Sequence, residues 1–165
     1  MIHDHKWKQI QIRYGRNLRV VYIWDSEKIT IKGLDIFGAT KNSTIEPAGI
    51  RIMESNYCIV EDCRIGWDSE HKNYYGIEIT SSSGCIIQNN IVKYNYRGLY
   101  DYMNYQVFFN SSQTNNIIKE NDFSYSSNWG CYLHYSEYDI IYNNTFNNCT
   151  SGGVYTVLFM IVTHL

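Results

Sequence analysis

"GCIIQNNIVKY", residues 84–94, sets two asparagines, Asn89 and Asn90, inside a run of isoleucine and valine. Asparagine is a poor strand former, and a buried amide needs hydrogen-bond partners. The interruption returns in "IIKENDF" (117–123) and "IIYNNTF" (140–146), so its cadence belongs to a repeat. Alignment on the apolar pair gives five registers: "ITIKGLDIFG" (29–38), "CIVEDCRIG" (58–66), "CIIQNNIVKY" (85–94), "NIIKENDFSY" (116–125) and "DIIYNNTFNN" (139–148). One column holds Ile31, Val60, Ile87, Ile118 and Ile141. Three residues on stand Leu34, Cys63, Asn90, Asn121 and Asn144, and two beyond them Ile36, Ile65, Val92, Phe123 and Phe146. Successive registers are 29, 27, 31 and 23 residues apart.

A second strand-like segment precedes each register: "VYI" (21–23), "GIRI" (49–52), "GIEI" (76–79) and "GCYL" (130–133). Its first apolar residue, Val21, Ile50, Ile77 or Cys131, lies ten positions before the Ile31-type column. Before the fourth register both "GLYD" (98–101) and "VFFN" (107–110) compete, and the ten-residue spacing favours Phe108, leaving 93–106 as an insertion. A further copy, "GVYTV" (153–157), follows the fifth register.

Short period-two strands separated by turns, with no helical stripe, predict an all-β chain. Strands this short are stable only if each coil stacks on the last, roughly 4.8 Å away, in parallel sheets along a solenoid. The expected fold is a right-handed parallel β-helix of about five to six coils in one domain, 1–165. Residues 1–19 are expected to be irregular or a partial first coil, 20–157 the repeats and 158–165 an apolar tail. Asn90, Asn121 and Asn144 then form a ladder at one bend. Both ends of the sequence look cut, as in an incomplete piece of a longer solenoid, whose ends would expose unpaired strand edges.

"SEKITIKGLDIFG", "SNYCIVEDCRIG", "SSGCIIQNNIV" and "TNNIIKENDF" resemble the right-handed parallel β-helix repeats of the pectate-lyase-like superfamily, over roughly residues 20–157. The handedness comes from this resemblance and from the crossover rule. The resemblance implies a secreted or cell-surface protein. It also implies a polysaccharide groove along the first strand of each coil and the long loop before it. The calcium-site, polygalacturonase and alginate-epimerase signatures of that superfamily are absent from the sequence.

On the first strands, taken as 21–23, 50–52, 77–79, 107–109 and 131–133, the outward residues are Tyr22, Arg51, Glu78, Phe109 and Tyr132, with Tyr155 beyond. Aromatic faces suit sugar rings, and Arg51 suits a uronate carboxylate. The alternative for Arg51 and Glu78 is an ion pair between neighbouring coils. The loops 66–76 and 93–106 are expected to wall the groove. They carry Trp67, Asp68, Glu70, His71 and Lys72, and Arg97 and Asp101, respectively. For β-elimination on a uronate glycan, His71, Lys72 or Arg97 would be base or charge neutraliser. Asp68, Glu70 and Asp101 would bind Ca²⁺ or act as a carboxylate pair. The alternative is an ordinary solvated loop.

A net charge of −2 and a pI near 6.2 give no electrostatic case for nucleic acid or an anionic membrane surface. The apolar stretch from Val154 is too short to span a bilayer, so no membrane insertion is expected. Sixteen tyrosines and one proline, by contrast, suit a neutral polar partner such as sugar. Of five cysteines, Cys58 and Cys85 share the Ile29 column, Cys63 the asparagine column and Cys131 the Ile50 column, as small buried hydrophobes do. A Cys58–Cys85 disulfide is the alternative to free thiols. His3 and His5 form a possible chelating pair, with the copper-maturation branch of β-helix proteins as the metal-linked alternative. The expected function is binding or degradation of extracellular polysaccharide, with a non-catalytic structural or adhesive solenoid as the alternative.

Overall fold

Parallel strands wind through the computed structural model, which describes residues 9–12, 21–41, 47–102, 115–136 and 138–157 and has no helix among them. The first sheet runs β1 (Gln9–Ile12), β2 (Val21–Trp24), β5 (Ala48–Met53), β8 (Tyr75–Thr80), β10 (Arg97–Tyr102), β12 (Trp129–His134) and β14 (Gly152–Val157). The second stacks β3 (Thr30–Lys32), β6 (Ile59–Glu61), β9 (Ile86–Gln88), β11 (Ile117–Lys119) and β13 (Ile140–Tyr142). The third is short: β4 (Asp35–Ile36) pairs with β7 (Arg64–Ile65), and single bridges carry the line through Ile91, Asp122 and Thr145. The chain is a parallel β-solenoid of about four turns, slightly fewer than the coils expected.

Register explains why strands of two to six residues persist. The Ile31, Val60, Ile87 and Ile118 column is buried, as are Ile36, Ile65, Val92 and Phe123. Each fully buried aliphatic side chain contributes about 1.5–3 kcal/mol, and stacking lets one coil complete the core of the next. Cys58, Cys63, Cys85 and Cys131 are buried among them, and all are free thiols.

The paired asparagines divide one turn between them. Gly33, Asp62, Asn89, Glu120 and Asn143 occupy one column, all with φ between 53° and 66°. The residue after each immediately precedes the third-sheet position; Leu34 is exposed there, whereas Cys63, Asn90 and Asn121 are buried. There Asn121 Oδ1 accepts from the Asn90 backbone N–H (3.0 Å) and Nδ2 (2.9 Å). Asn144 Oδ1 accepts from Asn121 in the same way (2.9 and 3.0 Å). At the other end Asn90 Oδ1 takes the Cys63 N–H at 2.9 Å. The spare amide hydrogens go to carbonyls of the preceding coil, at Val60, Ile87 and Ile118.

One expectation needs correction. The fourth first-sheet strand is Arg97–Tyr102, bonded to β8 on one side and β12 on the other; it displaces 107–109, which lie outside the described residues. The insertion therefore follows the strand instead of preceding it, and "GLYD" is the repeat. Sterics decide this. Gly49, Gly76, Gly98 and Gly130 stack in one column, where an added Cβ would come within 2.6–2.9 Å of the next glycine's carbonyl oxygen. "VFFN" has no glycine for that position. At the N-terminal side of the first sheet β1 runs antiparallel along β2.

The ladder gives a ranked expectation. Asn121→Ala orphans buried groups on both neighbouring coils and is expected to cost about 2–4 kcal/mol. Asn144→Ala, at the more exposed end, is expected to cost about 1 kcal/mol. Urea unfolding of the two variants measures the order; equal losses would contradict a burial-driven ladder.

Candidate functional site

Three outward columns cover the first sheet. The central one reads Tyr22, Arg51, Glu78, Tyr100, Tyr132 and Tyr155. Tyr100 thus stands where Phe109 was expected, and Phe109 itself lies outside the described residues. On one side are Ala48, Tyr75, Arg97, Trp129 and Gly152; on the other Trp24, Met53, Thr80, Tyr102, His134 and Val157. The glycine column makes this arrangement possible. Gly98 and Leu99 both face the core, so Arg97, Tyr100 and Tyr102 emerge on the outside.

The face has two halves. Toward the N-terminus its polar groups are spent on each other. Arg51 and Glu78 form a two-pronged ion pair, with Glu78 only 3% exposed. That is the inter-coil pair anticipated as the alternative to ligand binding. Tyr22 donates its hydroxyl to Met53 Sδ (3.3 Å), and Trp24 its indole N–H to Glu54 (3.2 Å).

Toward the C-terminus aromatic rings accumulate around the Arg97 guanidinium. Tyr132 and Tyr155 stack at 4.8 Å, Trp129 packs on Tyr155 at 5.0 Å, and Tyr100 lies 5.6 Å from Tyr132. The Arg97 guanidinium sits 3.9 Å above the Tyr132 ring and 5.0 Å from that of Tyr100, with its Nε–H on Asn128 (3.3 Å). Among the described residues no carboxylate pairs with Arg97. Burial pushes the Tyr100 hydroxyl up to about 12 despite the opposing pull of Arg97. Burial, then Arg97, lowers the His134 imidazole below its usual value. Both shifts favour the uncharged forms of Tyr100 and His134, and Arg97 supplies a fixed positive charge beside them.

The loop residues do not join this face. Asp68 Oδ1 accepts from the backbone amides of Glu70 (2.9 Å) and His71 (2.8 Å) and lies 2.9 Å from His71 Nδ1. These hydrogen bonds, that of the His71 amide foremost, lower the Asp68 carboxyl below its usual range. The His71 ring stacks on Trp67 at 4.9 Å, Phe37 meets both edge-on, and Arg64 lies 4.4 Å over Trp67. Asp68, Glu70, His71 and Trp67 thus build the loop's own fold.

Asp101 is not in a loop wall but in the solenoid lumen, 1% exposed, in the column of Ile79 and Leu133. This correction follows from the register of β10, which turns residue 101 inward. Asn116 Nδ2 donates to Asp101 at 2.9 Å, and the Asn116 N–H to Asp139 Oδ1 at 2.8 Å. Ser136, Cys85 and Cys131 are the other titratable or polar neighbours. Burial, then the neighbouring Asp139 carboxyl, holds Asp101 well above the usual carboxylate range. Asp68, Glu70 and His71 thus lie in one loop, Arg97 on the outer face and Asp101 inside.

Comparison with known proteins adds the family. The profile described as periplasmic copper-binding protein (NosD) matches residues 3–157. The chain belongs to the NosD family. No curated protein and no solved structure matches it. The family is periplasmic, so this NosD-family chain is an extracytoplasmic solenoid, in keeping with the expected secreted or surface location. No described helix is long and apolar enough to cross a membrane.

Copper does not fit the donors that the NosD fold assembles among the described residues. Among the described residues no three His, Cys, Asp or Glu side chains gather to hold a metal. Cys58 and Cys85 adjoin but are wholly buried and supply two sulfurs only. Met53 and His134 share a column but stand three rungs apart, about 14 Å. His3 and His5 lie outside the described residues. Asp68 and Glu70 lie in one loop and Asp101 in the lumen, so the three form no common Ca²⁺ site.

The lumenal carboxyl sets the sign of a pH dependence. A folded-state value raised above the unfolded one, about 3.9, means that the folded state holds a proton the unfolded state has released. Stability is expected to be greatest below about pH 4 for this group, and to fall as pH rises toward the raised value. Asp101→Asn keeps the shape without the charge and is expected to flatten that fall. Melting temperatures at pH 4.5 and 8 measure it, and an unchanged slope in the variant would contradict the assignment.

Proposed function

We propose that the chain is a non-catalytic, extracytoplasmic glycan-binding solenoid, holding polysaccharide along the C-terminal half of the first-sheet face. One observation carries the reading: the Tyr100–Tyr132–Tyr155 column, with Arg97 lying on it and paired with no carboxylate among the described residues. Aromatic rings offer flat apolar faces with polar tips, which match a sugar's C–H face and its hydroxyl rim. Spaced one rung apart on a rigid sheet, they favour an extended polymer over a compact ligand. The resemblance of the repeats to the pectate-lyase-like superfamily supports a sugar partner.

Cleavage is not part of the reading. The acid and base candidates Asp68 and His71 are occupied with each other, and Asp101 is inside the lumen. Bidentate recognition by Arg51 would first require breaking its pair with the nearly buried Glu78, which costs several kcal/mol.

Affinity electrophoresis in gels containing neutral and acidic polysaccharides tests the proposal, with copper titration alongside. Retardation by at least one polymer is expected, without release of unsaturated products. Tyr132→Ala is expected to weaken it about tenfold, the loss of roughly 1–1.5 kcal/mol of ring contact. No retardation by any polymer would leave a structural or adhesive solenoid. Stoichiometric copper binding without glycan binding would replace the reading with the activity in the family's description.

A further inference from the structure

Two of the buried thiols face each other across one rung of the solenoid. Cys58 and Cys85 stand just before β6 and β9, whose residues Ile59 and Ile86 pair in register. The Ile86 N–H donates to the Cys58 carbonyl at 2.9 Å, and the Tyr57 N–H to the Ser83 carbonyl at 2.9 Å. Backbone hydrogen bonds therefore fix the two coils on either side of the pair. Cys85 Sγ lies 3.5 Å from the Ser55 carbonyl oxygen, which leans it toward the coil that carries Cys58. The thiols also hydrogen-bond each other. That contact, ahead of burial, brings Cys58 down to about 7 and drives Cys85 up.

A rung spacing of about 4.8 Å falls inside the Cα separation that a disulfide spans, about 4.4–6.8 Å. Other cysteines are placed differently. Cys63 stacks between Leu34 and Asn90, and Cys131 between Leu99 and Val154. Cys149 Sγ donates to the Phe123 carbonyl at 3.3 Å. The family of this chain is periplasmic, and extracytoplasmic compartments of that kind keep proteins under a supply of oxidising disulfides. Two thiols stacked one rung apart meet that supply while the chain folds.

We propose that Cys58 and Cys85 are an oxidation site, joined by a disulfide that staples the second coil to the third. The oxidant is a disulfide donor of the extracytoplasmic space. The Cys58 thiolate attacks one donor sulfur and expels the other as a thiolate. The Cys85 thiolate then attacks Cys58 Sγ, forming the Cys58–Cys85 bond and releasing the remaining donor sulfur as a thiolate. The two cysteine protons pass to the two donor thiolates, so the protein gives up two electrons and the donor takes them. Both cysteines are 0% exposed once the coils have closed, so the exchange belongs to folding, before the third coil seats. The ring closed in this way, 58–85, contains β7, the 66–76 loop and β8. The staple stands independently of glycan binding.

Refolding the reduced full chain from denaturant in oxidised glutathione, then alkylating free thiols under denaturing conditions, tests the site. Peptide mass spectrometry is expected to show a Cys58–Cys85 cross-link lighter than its reduced peptides by two hydrogens, with Cys63, Cys131 and Cys149 alkylated. Thermal unfolding with and without reductant gives a second readout. Reduction is expected to lower the midpoint by roughly 5–10 °C, the effect of opening a ring one coil long. Cys58→Ala and Cys85→Ala are expected to lose that response to reductant, and Cys63→Ala to keep it. If a core variant fails to fold, the peptide map of the wild type decides. Alkylation of both Cys58 and Cys85, or a disulfide joining any other pair, would overturn the proposal. A Cys58–Cys85 bond formed only between two chains, seen as a dimer on non-reducing electrophoresis, would also overturn it. So would a cross-link whose reduction leaves the midpoint unchanged.

Discussion

Each rung of this molecule is held by the rung beside it, one hydrogen-bonded strand spacing away and in the same register. That constraint makes like stack on like. Isoleucine sits on isoleucine in the core, Asn90 on Asn121 on Asn144 at one bend, glycine on glycine where the chain enters the first sheet. Outside, the same rule stacks Tyr132 on Tyr155 and brings Tyr100 beside them. The interior amide ladder and the exterior ring column are two products of one register. A ligand surface built this way needs no loop to position it, because the backbone already fixes the spacing of its rings.

The columns were legible because burial repeats with the coil. Ile31-type and Ile36-type positions, the asparagine ladder and the buried cysteines follow from the aligned registers alone, and the structure places each as expected. Residue spacing alone misplaces strand β10, because sterics rather than spacing decide its position. Leu99 precedes Ile118 by nineteen residues rather than ten, so a spacing rule passes over it. The glycine of "GLYD" carried the signal, since no other residue fits against the neighbouring carbonyls. Shifting that strand moved Arg97 from a loop to the sheet and Asp101 from a groove wall to the lumen. It also put Tyr100 in the central column. The fate of Asp68 and His71 was less accessible. Their pairing depends on how one loop closes on itself, which no column of the repeat records.

Departures from the stacking rule mark where the solenoid changes character. Through the third coil two lumenal columns carry apolar side chains, Ile52 and Ile79 in one and Cys58 and Cys85 in the other. At the fourth coil Asp101 enters the first column and Asn116 and Asp139 the second, linked by the Asn116 amide. A buried carboxyl costs least when protonated and hydrogen-bonded, which is the state its surroundings favour. On the outside the same region is where charge pairs give way to rings. The N-terminal coils spend Arg51 on Glu78, whereas Arg97 lies on tyrosines.

The central claim is that the outward columns of the first sheet are the ligand surface. Chemical-shift mapping of the isotope-labelled protein during titration with a retarding oligosaccharide addresses it most directly. The account predicts shifts concentrated at Arg97, Tyr100, Trp129, Tyr132 and Tyr155, with the outward residues of the second sheet, Lys32, Glu61, Gln88 and Lys119, unmoved. Shifts centred on the second sheet, with the first-sheet columns silent, would contradict it.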